Sequence, residues 1–223
     1  SIEAMGSAVA SWQQILIFTS LASIILGAVA AIGQTNIKRL LAYSSINNVG
    51  FVLVGLAAGT AEGVAATMTY MVVYVLMTLG SFACVLQMRG EDGRHVEDIA
   101  SLAGLSRRQP ALAAAIAIFM FSLAGIPPLL GFWAKFLVFD AAVAAGLMPL
   151  AAIGIAASTI GAFYYLKIVK IMYFDEPAAA YHPVGSYVES GVIALTALAV
   201  SPIGYLAIPM LGTASAIAAK ALF

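Results

Sequence analysis

Charge is what this sequence has least of. Only 9% of its 223 residues are Asp, Glu, Lys or Arg, and ten basic residues balance ten acidic ones to a formal net charge of zero. A chain with no basic surplus has no electrostatic hold on nucleic acid and no pull toward an acidic substrate. Cysteine is nearly absent: Cys84 stands alone inside an apolar run, which excludes a disulfide framework and a thiolate metal site. The two histidines, His95 and His182, lie far apart in polar stretches, and neither has a second histidine or a cysteine beside it, so no metal site is expected. Nucleophile elbow, phosphate loop, dinucleotide fingerprint and Cys/His cluster are all missing, which leaves no covalent or redox chemistry to this chain by itself. No basic segment precedes the first apolar run, so a signal peptide is not expected. The opening Ser1-Ile-Glu, without methionine, reads as a fragment or the C-terminal part of a longer polypeptide.

Apolar residues are what is present. They make up 63% of the chain, and the mean hydropathy is +1.03. That is far more than a soluble core needs, so the composition predicts an all-α polytopic membrane protein. A bilayer core about 30 Å thick asks for roughly 20 apolar residues per helix. Six segments qualify: 12–33, 37–59, 63–88, 110–146 (broken at Pro127-Pro128), 148–174 and 187–211. Residues 1–11 form a lead-in. Lys38, Arg39, Arg89, Arg94, Arg107, Arg108, Lys167 and Lys170 then all fall on one side. The positive-inside rule names that side cytoplasmic and puts both termini outside.

Within the first connection, Thr35 or Asn36 is placed to cap the second span, leaving Lys38 and Arg39 in its first turn, where the helix dipole disfavours cations. Lys38 is read chiefly as an interfacial anchor, with a partner contact or proton entry as the sharper alternative. Asn47 and Asn48 sit deep in that span and need partners on other helices, and Gly55 with Gly59 makes a small-residue packing pair. Tyr70, Tyr74 and Thr78 recur every four residues and form one polar stripe, a packing seam or a proton relay according to what it faces. Val96, Ile99, Leu102 and Leu105 repeat every three residues in the charged loop, which predicts a short amphipathic helix on the membrane surface or a neighbouring subunit. Lys167 closes the fifth span. The last span is apolar apart from Ser201 and two prolines, and reads as a lipid-facing or partner-facing closure.

The exception to all this apolarity is Lys135. It follows Pro127-Pro128 inside a run that is otherwise almost wholly hydrophobic. A proline inside a helix removes a backbone donor and clashes with the preceding turn, so the helix must break there. A lysine at the centre of a span costs about 2.5–3.5 kcal/mol on insertion scales. Snorkelling recovers little of that, since the stem reaches only about 6 Å. Opening the backbone frees carbonyls at Leu123 and Ala124, which predicts a hydrated cavity beside the amine. A buried amine beside a helix break is a proton-exchange site of the kind membrane transporters build. Asp140, farther along the same half-helix, is either an exit acceptor or an interfacial carboxylate.

Three stretches are familiar: Gln34-Thr-Asn-Ile-Lys-Arg-Leu-Leu-Ala-Tyr-Ser-Ser, Phe121-Ser-Leu-Ala-Gly-Ile-Pro-Pro-Leu-Leu-Gly-Phe-Trp-Ala-Lys-Phe and Phe163-Tyr-Tyr-Leu-Lys-Ile. They closely resemble the subunit N family of bacterial respiratory complex I, the proton-pumping NADH:quinone oxidoreductase. The related M-type subunits carry glutamate where Lys135 stands. The resemblance implies two inverted five-helix repeats, of which this chain holds the second (12–174), with its broken helix, plus the final helix (187–211). It implies that Lys135 faces the outer half-channel. Tyr70, Tyr74, Thr78, Asp140, Lys38 and Lys167 are the candidates for relay or gate that the residues themselves offer. The resemblance implies a bacterial inner-membrane location and the other membrane and peripheral subunits of the complex as partners. FMN, iron–sulfur clusters and quinone would belong to those partners, with no cofactor in this chain. Subunits of multi-subunit cation/proton antiporters share the helix pattern and supply the alternative reading. A purely structural role for the six helices is a third.

Overall fold

Helices form because long apolar runs in lipid must satisfy every backbone donor and acceptor internally. The computed structural model describes residues 9–90, 93–178 and 187–221. Its long helices are α1 (Val9–Ile32), α2 (Ile37–Ala57), α3 (Ala61–Leu86) and α7 (Met148–Phe174). Between α3 and α7 lie the single turn α4 (Leu105–Arg108) and two fifteen-residue helices, α5 (Pro110–Ala124) and α6 (Leu130–Ala144). The chain closes with α8 (Tyr187–Val200) and α9 (Ile208–Lys220), joined by a 3₁₀ segment, Pro202–Ala207. Among the described residues no β-strand forms; there are two isolated bridges, Asn36 with Asp98 and Arg89 with His95.

Five segments are long and apolar enough to cross a membrane: Trp12–Ile32, Ile37–Ala57, Ala61–Leu86, Met148–Phe174 and Pro202–Lys220. The shorter α5 and α6 run in succession and make a broken crossing between them. The sixfold parse therefore stands, and with it the grouping of the basic residues. Lys38 pairs with Glu97 at 2.7 Å, Arg107 approaches Glu176 at 3.9 Å, and the Gly104 N–H donates to the Ile171 carbonyl. These contacts gather the connections after α1, α3 and α7 at one end of the bundle.

Several expectations need correction. The last crossing is not one helix over 187–211. It breaks after Val200, passes through the 3₁₀ segment and continues to Lys220. Pro202 and Pro209 sit in the first turns of their own segments, where a missing N–H costs nothing. The break in the central crossing also begins earlier than Pro127: α5 ends at Ala124 because Gly125 turns left-handed, with φ +83°. Gly59 lies beyond the end of α2 in a turn at φ +67°, so it forms no helical pair with Gly55.

The amphipathic surface helix is absent. Ile99–Leu102 is a 3₁₀ turn, Gly104 breaks the chain at φ +66°, and only Leu105–Arg108 is α-helical. Ile99, Leu102 and Leu105 are buried in the chain's own core rather than laid on lipid. The physical reason is the period: a strict spacing of three matches the 3₁₀ repeat and drifts off one face of a 3.6-residue helix. His95 is exposed, and His182 lies outside the described residues.

The basic first turn of α2 has a local remedy. Asn36 is the N-cap, its side-chain oxygen accepting from the Lys38 and Arg39 N–H groups. Glu97 brings a carboxylate to the same helix end, accepting from Lys38 Nζ and Asn36 Nδ2, both at 2.7 Å. Those two bonds, Lys38 first, hold the Glu97 carboxyl below its ordinary value.

Candidate functional site

Lys135 is in the second turn of α6 and 6% exposed. Helical side chains lean toward the N-terminus of their helix, so its stem runs back to the break rather than outward. There the ammonium donates to the Leu123 carbonyl at 2.7 Å, the Ala124 carbonyl at 3.3 Å and Ser158 Oγ at 3.0 Å. The Phe51 ring lies 5.0 Å away on a further side, within cation–π range.

This geometry follows from how α5 ends. The Gly125 N–H donates to the carbonyls of Phe121 and Ser122, and the Ile126 N–H donates to Phe121. Those bonds close the helix and satisfy two of its last carbonyls. Leu123 and Ala124 keep theirs, aimed into the break, and these are the two that Lys135 takes. The freed carbonyls named from the proline pair are thus satisfied by the lysine itself. The negative end of the α5 dipole faces the ammonium as well. Across the break, Ser122 Oγ accepts from the Gly131 N–H at 3.1 Å, fastening the start of α6 to the end of α5.

A groove of about 530 Å³ opens beside the amine, lined among others by Lys135, Ser158, Thr159 and Asp140. It is the counterpart of the expected cavity. Asp140 stands five residues along α6, about 7.5 Å of helix rise toward its far end. Pro127 and Pro128 are exposed in the link itself.

Nearer the basic ends of α2, α3 and α7 lies a cluster of hydroxyls and amides. The Tyr70 hydroxyl, fully buried, donates to Asn48 Oδ1 at 2.8 Å. Asn48 Nδ2 donates to the Ser44 carbonyl at 2.8 Å and the Tyr165 hydroxyl at 3.3 Å, and Ser44 and Tyr165 share a hydrogen bond of their own. Asn47 Nδ2 donates to the Tyr164 hydroxyl at 3.3 Å. Both asparagines therefore face other helices, as their depth requires. Tyr74 stacks obliquely on Tyr70, ring centroids 6.4 Å apart. Tyr74 and Thr78 line a void of about 10 Å³ with Ser44, Ser45, Ser81 and Leu123. The stripe on α3 thus meets the site at Leu123, whose carbonyl holds the lysine.

Lys38 and Lys167 are not drawn into this cluster. Lys38 sits in the ion pair with Glu97, and Lys167 is exposed on α7, about 14 Å of helix beyond Ser158. Conversely, Ser158, Phe51, Ser44, Tyr164 and Tyr165 are parts of the site that the sequence did not single out. Ser158 and Tyr165 are seven residues apart on α7 and share a face, a spacing that would have paired them. Phe51 gave no such signal. Among the described residues no group of three or more His, Cys, Asp or Glu side chains is placed to hold a metal ion.

The NADH:quinone oxidoreductase/Mrp antiporter transmembrane family matches residues 2–161, most of the chain. The chain belongs to this family. A relative within it, the NADH-quinone oxidoreductase subunit N of Rhizorhabdus wittichii, is 72% identical over 224 residues, taking in 100% of this chain and 47% of that protein. The chain spans about half the length of the curated relatives it matches. Among solved structures, respiratory complex I from Thermus thermophilus with bound aureothin is similar at a TM-score of 0.78 and 30% identity, over 89% of this chain and 45% of that one. The Mrp complex from Dietzia sp. DQ12-45-1b has a TM-score of 0.77 over 95% of this chain and 47% of that one. Its 23% identity extends the likeness to the fold alone. An antiporter-like fold is thus what this family member shares with both assemblies.

Proposed function

We propose that this chain is the second half of a proton-translocating membrane subunit, of the subunit N type, in a bacterial NADH:quinone oxidoreductase. The observation that carries the reading is Lys135, a buried amine on the open carbonyls of a broken helix, with a groove beside it. Support also comes from the 72% identity to a subunit N.

In this reading the ammonium rests on Leu123, Ala124 and Ser158 and gives its proton toward the groove. It is recharged from the side of Tyr70, Asn48, Ser44 and Tyr165. Hydroxyls both donate and accept, so Ser44, Tyr165, Tyr70, Tyr74 and Thr78 are able to hand a proton along. Asn48 holds its neighbours in place. The 10 Å³ void beside Leu123 is about the size of one water and would close the gap. Lys38 and Lys167 act at the basic end, which is the cytoplasmic one, with the Lys220 end outside. Asp140 lies on the outward side. The location is the bacterial inner membrane, and the partners are the lipid bilayer and the other subunits of the complex. FMN, iron–sulfur clusters and quinone reside in those subunits, so this chain contributes proton movement rather than electron transfer.

The shared fold with an Mrp complex keeps one alternative, a subunit of a multi-subunit cation/proton antiporter. Inverted membrane vesicles carrying the full-length subunit separate the two. Lumen acidification that requires NADH and ignores sodium is expected. Sodium-driven proton exchange in vesicles given no NADH would favour the antiporter and overturn the proposal.

A further inference from the structure

The groove beside Lys135 does not end at Asp140. A second groove, of about 360 Å³, is lined by Glu62, Thr69, Asp140, Ala144, Gly212 and Lys220. Asp140 is the one residue that lines both. Its carboxylate stands on α6 between the α7 side, where Lys135 and Ser158 lie, and the α3–α9 side, where Glu62 and Lys220 lie. Glu62 is in the first turn of α3 and Lys220 in the last turn of α9, so the second groove opens at the end opposite the basic connections. Its inner wall is fastened by a buried hydrogen bond from Thr69 Oγ1 to Ser215 Oγ at 3.0 Å, which holds α9 on α3. Without α9 this wall would be open to lipid. That gives the broken last crossing a purpose beyond closing the bundle.

We infer that Asp140 is the relay by which protons leave Lys135, and that Glu62 and Lys220 form the port through which they reach the outer aqueous phase. The inference rests on Lys135 being the proton-exchanging group. The step balances simply. The Lys135 ammonium loses one proton, carried along the first groove to the Asp140 carboxylate, which leaves a neutral amine and a carboxylic acid. The acid then gives the proton to water at the Glu62 mouth and returns to carboxylate. The ammonium of Lys220 beside that mouth opposes the proton's return, because like charges repel. Asp140 suits the role by position: one helix carries both groups, and the two grooves meet only at its side chain.

The test uses the full-length subunit in its assembled complex, with Asp140→Asn, Asp140→Glu, Glu62→Gln and Lys135→Ala compared for protons released per NADH oxidised. Asp140→Asn is expected to lower that ratio by about as much as Lys135→Ala, with Asp140→Glu restoring most of it and Glu62→Gln giving a smaller loss. A merely structural carboxylate would not need an acidic replacement. In parallel, Asp140→Cys is expected to react with a membrane-impermeant maleimide added from the outer side alone; the native Cys84 is buried. If Lys135→Ala lowers the ratio while Asp140→Asn does not, the exit proposal falls and the Lys135 reading survives. If neither lowers it, both fall.

Discussion

At Gly125 the backbone φ of +83° and the lysine beside it make two separate demands for glycine. A Cβ there would lie 3.1 Å from Lys135 Cδ, and the left-handed conformation costs an L-residue about 1–2 kcal/mol. Gly125→Ala is therefore expected to lower the thermal unfolding temperature in detergent, and Gly125→Asn, which tolerates that conformation, to lower it less. Glu97 makes a different demand. Its folded carboxyl is held below the ordinary value, so its bonds to Lys38 and Asn36 contribute above an unfolded pKa of about 4.3. That contribution is lost as pH falls through the folded value. Amide exchange at Ile37, whose N–H donates to the Glu97 carbonyl, should speed up in that acid window. In Glu97→Gln the window should vanish. A window unchanged by the substitution would remove Glu97 from the account. Lys135 itself was legible from sequence because an amine in an apolar run is costly wherever the fold puts it. Its surroundings were not. The spacing of Ser158 and Tyr165 puts them on one face of α7, but neither that spacing nor anything around Phe51 records which other helices they meet.

Elements were legible in proportion to their length. Crossings of twenty residues or more announce themselves by composition, and the basic residues mark connections that the Lys38–Glu97 and Arg107–Glu176 pairs bring to one end. Irregular pieces did not. Pro127-Pro128 signalled a break, but the stop three residues earlier depends on Gly125, and glycine alone is no strong stop signal. Pro202 and Pro209 looked tolerable in one helix, yet each starts a new segment. The two breaks also touch: the Tyr205 hydroxyl, from the 3₁₀ segment of the last crossing, donates to the Leu129 carbonyl at 3.3 Å. The link between α5 and α6 is thus braced from outside as well as fastened by Ser122. Gly131 is the narrowest point of that fastening, because a Cβ there would fall 2.0 Å from the Ser122 carbonyl oxygen. Something must shift, and the nearest atoms are backbone. Gly131→Ala is expected to reduce the folded subunit in the membrane fraction sharply, well beyond the loss from Gly125→Ala. Near-parental levels would show that the break has slack the structure does not suggest.

For the proposed function of the whole molecule the governing quantity is the membrane potential, about 2.3 kcal/mol per elementary charge per 100 mV. A lysine open to both aqueous phases would dissipate that energy, so access must alternate. The arrangement separates the two sides as this requires. Hydroxyls of α2, α3 and α7 approach from the basic end, grooves along α6 lead to the other end, and the buried ammonium on the end of α5 stands between them. Under the proposed function, what moves it from one side to the other is left to the rest of that subunit and its partners. The central claim is that protons pass through Lys135. Its most direct test is the number of protons translocated per NADH oxidised by purified complex in proteoliposomes, parent against Lys135→Ala in the full-length subunit. A fully assembled variant with a lower ratio is the predicted result. An assembled variant with the parental ratio would contradict the account.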